Sequence, residues 1–325
     1  MRQSAMMKGV ILDFDSVGPD DLDLSSLYEL PVDWTLHPHC LPSEVSQLIA
    51  DNEIALINKA PILAQEIEAA THLKFISTFA TGTNIIDLEA AKKHGIVVSN
   101  AVGYGTGSVV QHVWCLILAL TTSLDQYRQA ATDGRWEDSK FFCLMDFSVR
   151  ELHNKTLGIV GAGELGSGVA KIAEAFGMKV IFAALPGRSY SSQYDRVPWD
   201  EFLQTADVVS LHCPLTADTQ NLIGARHLQL MKKSSILINT ARGALINEQA
   251  LKDALISGQI AGAALDVLSE EPPINGNPLL DKRIPNLIIT PHSAWLAKEA
   301  RQRLVDQVAG NIQAWLLGEP RNRVC

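Results

Sequence analysis

Residues 156–177 read TLGIVGAGELGSGVAKIAEAFG, and this stretch decides the fold. An apolar run from Thr156 to Val160 leads into Gly161, Gly163 and Gly166, after which apolar positions recur at helical spacing. Strand, glycine turn and helix in that order open a β-α-β unit. The first glycine permits a tight turn, the second lets backbone approach a pyrophosphate, and the third lets helix and strand pack closely. The helix N-terminus adds N–H groups and partial positive charge for phosphates. The stretch therefore predicts a dinucleotide site on Gly161, Gly163 and Gly166, with Glu164 and Leu165 in the same turn.

The next strand departs from the usual pattern. Residues 178–189 read MKVIFAALPGRS, and no acid stands between Glu174 and Asp195. A carboxylate closing that strand would grip a ribose 2′-hydroxyl; here the strand ends in Ala183-Ala184. Arg188 and Ser189 follow, with Ser191 and Ser192 nearby. An arginine pairs with a 2′-phosphate and serine hydroxyls donate to it, whereas an acid would repel it. The expected nucleotide is NADP(H), or either nucleotide without strong choice. The alternative is a polar turn in which Arg188 is merely solvated.

Upstream, KGVILDF, DWTLHP, IALIN, LKFIST and IVVSN read as strands in the first hundred residues. AQEIEAA and NIIDLEAAKKHG lie between them at helical spacing, the second closed by Gly95. From residue 156 the series restarts with TLGIV, KVIFA, DVVSLH, SILINT, AGAALDV and NLIIT. Two such series imply an α/β protein of two doubly wound parallel-sheet domains. A long apolar segment, roughly 104–131, is expected as one helix joining them. The following loop, TDGRWEDSKFFCLMDFSVRELHN, has weak periodicity and several aromatics, which suits an arm onto a second subunit.

Composition narrows the classes further. The 325 residues carry a net charge of −9 and no Lys/Arg run, which argues against nucleic acid. The first apolar run is too short for a signal peptide. The longest, VWCLILAL, falls far below the ~20 residues of a membrane helix. Cys40, Cys115, Cys143, Cys213 and Cys325 are odd in number and scattered, as expected of reduced thiols in the cytoplasm.

Candidate chemistry follows the later strands, where open α/β sheets place their ligands. Arg242 lies just past SILINT, Asp266, Glu270 and Glu271 follow AGAAL, and His292 follows NLIIT behind Pro291. An arginine grips a carboxylate through two parallel hydrogen bonds. A histidine gives a proton to a carbonyl oxygen as hydride arrives, and a neighbouring glutamate keeps it charged. The set suits reduction of a 2-oxo acid.

At this point the chain resembles the D-isomer-specific 2-hydroxyacid dehydrogenases over nearly its whole length. The resemblance rests on LKFISTFATGTNIIDLEAAKKHGI, the glycine loop, LHCPLTADTQNLI, LINTARGALINEQAL, GAALDVLSEEP and ITPHSAWLAKEAR. It implies a catalytic trio of Arg242, Glu271 (the acid before proline, rather than Glu270) and His292. Asp266 would hold the nicotinamide carboxamide, with Ala241 lining the same pocket and His292 reaching it. Thr106 would lie near the nicotinamide, and His212, Cys213, Pro214 and Thr219 along the cofactor edge. Thr81 and Gly82 would offer backbone N–H groups to the substrate carboxylate. Within the family, INKAP, ATGTN, GYGTGSVVQHVWCLILAL and PHSAW resemble glycerate dehydrogenases, also called hydroxypyruvate reductases. Lys59 would then meet the substrate and Trp295 wall its hydroxymethyl end.

The resemblance also implies a Rossmann-like nucleotide domain, 104–293, inserted into a flavodoxin-like substrate domain, 1–103 and 294–325. The last helix, about 295–317, would return to the substrate domain. The two domains would close over substrate and exclude water. The expected reaction is reduction of hydroxypyruvate and glyoxylate to D-glycerate and glycolate, in a homodimer without metal. Another 2-oxo acid is the first alternative. A nucleotide-sensing corepressor of the same fold is the second, because such relatives keep the trio. Two further motifs are weaker: VILDFDSVG imitates a phosphatase start with Asp13 as nucleophile, and HPHC crowds His37, His39 and Cys40 without a fourth metal ligand.

Overall fold

Both series of apolar runs form parallel sheets. The computed structural model describes residues 6–190, 194 and 196–325, so Ser191 and Ser192 lie outside the described residues. The chain divides into two compact units, Met1–Gly105 with Trp295–Cys325, and Thr106–Ala294.

The first unit holds β1 (Met7–Ile11), β2 (Val32–Leu36), β3 (Ile54–Ile57), β4 (Phe75–Thr78) and β5 (Val97–Ser99). Their order is β2-β1-β3-β4-β5, the flavodoxin-like arrangement. β3 is buried at all its residues, which is why it reads as an unbroken apolar run. Helix Lys298–Leu316 returns to this unit with Leu304, Val305, Val308 and Ile312 buried, and Trp315 stacks on Phe75 with ring centroids 4.9 Å apart.

Just past β1, the buried Asp13 carboxylate accepts the backbone N–H groups of Asn58 at 2.8 Å, Lys59 at 2.5 Å and Ala60 at 3.0 Å. It ties two neighbouring strand ends together and is engaged with backbone, unlike an exposed nucleophile. The carbonyls of His37 and Pro38 accept the N–H groups of Phe14 and Asp15, each at 3.0 Å, which continues the β1–β2 pairing into HPHC. Among the described residues no group of three or more His, Cys, Asp or Glu is disposed to hold a metal ion.

The second unit holds β6 (Thr156–Val160), β7 (Lys179–Ala184), β8 (Arg196–Pro198), β9 (Val208–Leu211), β10 (Ile236–Asn239), β11 (Gly262–Leu265) and β12 (Leu287–Ile289). Their order is β12-β11-β10-β9-β6-β7-β8, all parallel. Strand order reverses between β6 and β9, so the glycine turn after β6 falls at the switch point where such sheets bind ligands. β8 went unread in the sequence: it is an edge strand of three residues ending in proline, too short to show a period.

The single helix expected over 104–131 is two, Thr106–Thr121 and Leu124–Ala130, bent by 58°. Ser123 between them adopts φ 51°, and its hydroxyl donates to the Ser148 carbonyl at 2.8 Å. The Thr121 and Thr122 hydroxyls bond back to the Ile117 and Leu118 carbonyls. Such local side-chain bonds compete with continuation of the helix. Val113, Trp114 and Ile117 of the longer helix are buried in the unit's core, and no single described helix is long and apolar enough to cross a membrane. Between Ala130 and β6 no helix or strand forms, and Phe141, Phe142 and Met145 there are exposed.

Candidate active site

The glycine turn is built by close approach. Gly161 has φ 103°, and a Cβ there would lie 2.5 Å from the His212 carbonyl oxygen; one on Gly166 would lie 2.0 Å from the Gly161 oxygen. At Gly163 the same atom would meet nothing within 4 Å. One side of the turn is therefore closed by protein and the other open. Gly163 caps helix Glu164–Ala175 without a side chain to satisfy the first-turn N–H groups. An uncapped N-terminus beside an open glycine fits a pyrophosphate. Leu165 is half-buried there, and the Glu164 carboxylate accepts the Thr106 hydroxyl at 2.6 Å.

After β7, which ends at Ala184, the half-buried Arg188 points its Nη2 to within 3.4 Å of Thr216 Oγ1; Ser189 is exposed beside it. Thr219 is buried and closes the loop after β9: its hydroxyl donates to the Pro214 carbonyl at 2.8 Å and accepts the Thr216 N–H at 2.7 Å. The loop read as the cofactor edge thus meets Arg188, read as the partner of a 2′-phosphate. Cys213 packs into the apolar core, where burial pushes its thiol up. His212 Nε2 lies 2.8 Å from Ser210 Oγ, and burial lowers the ring to about 4, so it is neutral near pH 7.

β10, β11 and β12 are neighbours, so the segments leaving their C-terminal ends lie side by side. Arg242 is exposed, and its Nη1 donates to the Ala241 carbonyl at 2.7 Å. Buried Asn239 braces that turn, accepting from Ala241 N–H at 3.0 Å and donating to the Arg242 carbonyl at 2.9 Å. A Cβ on Gly243 would sit 1.9 Å from the Leu268 carbonyl carbon, so only glycine lets this turn press on the segment that carries Glu271. Glu271 accepts the Leu268 N–H at 2.8 Å through Oε1, and its Oε2 lies 2.5 Å from His292 Nδ1. Glu270 instead accepts from Asn275. The His292 and Glu271 side chains are 35% and 33% exposed, open enough for a reactant and partly screened from water.

His292 itself has φ 53°, a left-handed backbone that few non-glycine residues adopt. Its N–H donates to the Asp266 carbonyl at 2.8 Å. The Asp266 carboxylate, 1% exposed, accepts the Thr290 hydroxyl at 2.5 Å and the N–H groups of Ser293 and Ala294, each at 2.9 Å. Burial alone would raise this carboxyl; bonds from His112, Thr290, Ala294 and Ser293 outweigh it and hold the group below the usual range. Asp266, read from the sequence as a carboxamide partner, thus grips the His292 turn. Asn239, Gly243, Thr290, Ser293 and His112 went unread as site residues. Only Gly243, directly after Arg242, carried a visible signal.

Of the expected substrate residues, Lys59, Thr81, Gly82 and Trp295 belong to the first unit. Lys59 is exposed on the turn that Asp13 ties down. The Thr81 hydroxyl donates to the Ala101 carbonyl at 2.7 Å, Gly82 is half-buried, and Trp295 packs against the unit's core.

A glycine cradle at a switch point, with an acid–histidine pair past the neighbouring strands, defines a dinucleotide-dependent oxidoreductase fold. The family described as D-isomer specific 2-hydroxyacid dehydrogenase, NAD binding domain, matches residues 114–294, and the chain belongs to that family. It is 45% identical over 284 residues to glycerate dehydrogenase of Methylorubrum extorquens, covering 87% of this chain and 88% of that one. It is 38% identical to hydroxypyruvate reductase of Blautia hydrogenotrophica, covering 98% and 99%. Among solved structures, an acyclic imino acid reductase in complex with NADPH and D-Arg matches with TM-score 0.83 and 31% identity, over 98% of this chain and all of that one (100%).

Proposed function

We propose that this protein reduces hydroxypyruvate and glyoxylate to D-glycerate and glycolate. The observation that carries the reading is the His292–Glu271 pair, 2.5 Å apart, in the unit that holds the glycine cradle. With Nδ1 given to Glu271, the Nε2 of His292 is the ring nitrogen that passes a proton to the substrate's carbonyl oxygen. The Glu271 carboxylate holds Nδ1 and so fixes the orientation of the ring for that transfer. Arg242 grips the substrate carboxylate and polarises the ketone, while Lys59, Thr81, Gly82 and Trp295 complete substrate recognition. A nicotinamide dinucleotide held at Gly161, Gly163 and Gly166 would supply the hydride for the reduction. The names of the relatives support this choice of 2-oxo acid.

NADP(H) is the preferred nucleotide in this reading, because Ala184 removes the ribose-binding acid and Arg188 stands beside Thr216. Residues 104–293 form the nucleotide domain, and 1–103 with 294–325 the substrate domain. A cytoplasmic homodimer belongs to the same proposal, its arm the loop with Phe141, Phe142 and Met145 exposed. The test is turnover of hydroxypyruvate and glyoxylate with NADPH and NADH, for wild type and His292→Ala. The expected result is turnover that His292→Ala lowers at least ~1,000-fold while cofactor affinity survives. Undiminished turnover in His292→Ala would remove His292 from the chemistry, and no turnover with either acid would shift the reading to another substrate.

A further inference from the structure

We infer that His112 is a positioning residue for the turn that carries His292, acting through the Thr290 hydroxyl and the Asp266 carboxylate. Helix Thr106–Thr121 presents Ser108 and His112 one turn apart on one face. The Ser108 hydroxyl donates to the Ala294 carbonyl at 2.6 Å. His112 Nε2 lies 3.0 Å from Thr290 Oγ1 and 3.4 Å from Asp266 Oδ1. The same helix thus holds both ends of segment 290–294, with His292 at its centre.

Proton directions follow from the donor inventory. An ionised Asp266 only accepts, so the Thr290 hydroxyl, 2.5 Å from Oδ1, donates to it. The Thr290 oxygen is then left to accept, and His112 Nε2 carries the hydrogen that fills it. Asp266 also accepts the N–H group of Ser293 through Oδ1, that of Ala294 through Oδ2 and that of His292 through its backbone oxygen. These bonds together hold His292 at its left-handed φ of 53°. Losing His112 removes a donor from Thr290 Oγ1 and a neighbour from the buried Asp266 carboxylate, and the turn loosens where the His292 ring is aimed.

This inference rests on His292 as the proton donor, so its test reads the turn as well as turnover. His112→Leu and Thr290→Val should each lower kcat about tenfold, with the KM for hydroxypyruvate and the Kd for NADPH within about twofold. His112→Gln keeps an N–H donor at similar reach and should recover most of kcat. The double variant should lose little more than either single one, because both break one chain. Backbone amide exchange at Ser293 and Ala294 should rise at least about tenfold in His112→Leu, and NMR of histidine-labelled protein should find the His112 proton on Nε2.

An Nε2 without a proton, unchanged exchange at Ser293 and Ala294, or a Gln variant no better than Leu would each overturn the inference. If His112→Leu fails to fold, Thr290→Val decides by the same readings. Should His292→Ala keep full turnover, the reading of the site fails, while the exchange measurement still judges the role of His112.

Discussion

Replacing Asp13 by alanine removes one carboxylate and strips three backbone N–H groups of their acceptor. The N–H groups of Asn58 and Ala60 are bonded in buried surroundings, and that of Lys59 in partly buried ones. A buried donor left without a partner costs about 1–3 kcal/mol, and water reaches the Lys59 site, so the expected loss is about 3–6 kcal/mol. Unfolding entropy is about 2.1 cal/mol/K per residue near 60 °C, or about 0.7 kcal/mol/K for the whole chain. The thermal midpoint should therefore fall by about 4–9 °C if the chain unfolds as one cooperative unit, and about twice as far if the first unit unfolds alone. The assay is calorimetry together with urea unfolding at pH 7.

Asp13→Asn is the sharper control. Asparagine preserves volume, but its NH2 group would face the Lys59 and Ala60 N–H groups that Oδ2 now accepts. It should therefore destabilise nearly as much as alanine. An Asp13→Asn protein within about 1 °C of wild type would refute the reasoning, since the stability would then come from packing and not from the carboxylate.

Gly163→Ala should fold normally, because its Cβ has open space, yet weaken nucleotide binding at least ~10-fold; an unchanged Kd by calorimetry would take Gly163 out of the site. Gly166→Ala should damage both folding and binding, because its Cβ would meet backbone at 2.0 Å; a normal thermal midpoint would contradict that contact. Arg188→Ala should erase any preference for NADPH over NADH in kcat/KM, and a preserved preference would leave Arg188 as part of a turn only. His212 is lowered from 6.5 to about 4 in the folded chain, so below pH 6.5 the unfolded chain takes up a proton that the folded one refuses. Stability should fall by up to about 3 kcal/mol between pH 6.5 and 4, and His212→Asn should flatten that limb of urea-unfolding midpoints; equal slopes would refute the assignment.

What the sequence made legible divides by the range of the interaction that makes it. The glycine turn, the strand before it and the helix after it are local, each constrained by its own residues, so the α/β reading and the parallel sheets followed from spacing. The break at Ser123 did not show, because apolar spacing continues through it; what turns the chain is a hydroxyl bonding to Ser148, far along a loop without period. β8 did not show because an edge strand of three residues has no pattern to display.

The site divides in the same way. Arg242, Glu271 and His292 stand one strand apart in a regular series, so their residue types past strand ends are visible in order. Which of two adjacent acids meets His292 is a matter of side-chain direction; in the structure Glu271 turns to His292 and Glu270 to Asn275. The groups that hold His292 in place come from farther away still. Asp266 lies on the neighbouring strand end and His112 inside a helix that reads as an apolar connection between domains, so neither spacing nor residue type marks them as partners. Their connection exists only once three parallel strands and one helix are assembled. Sequence motifs therefore display the groups that touch a reactant more readily than the groups that aim them.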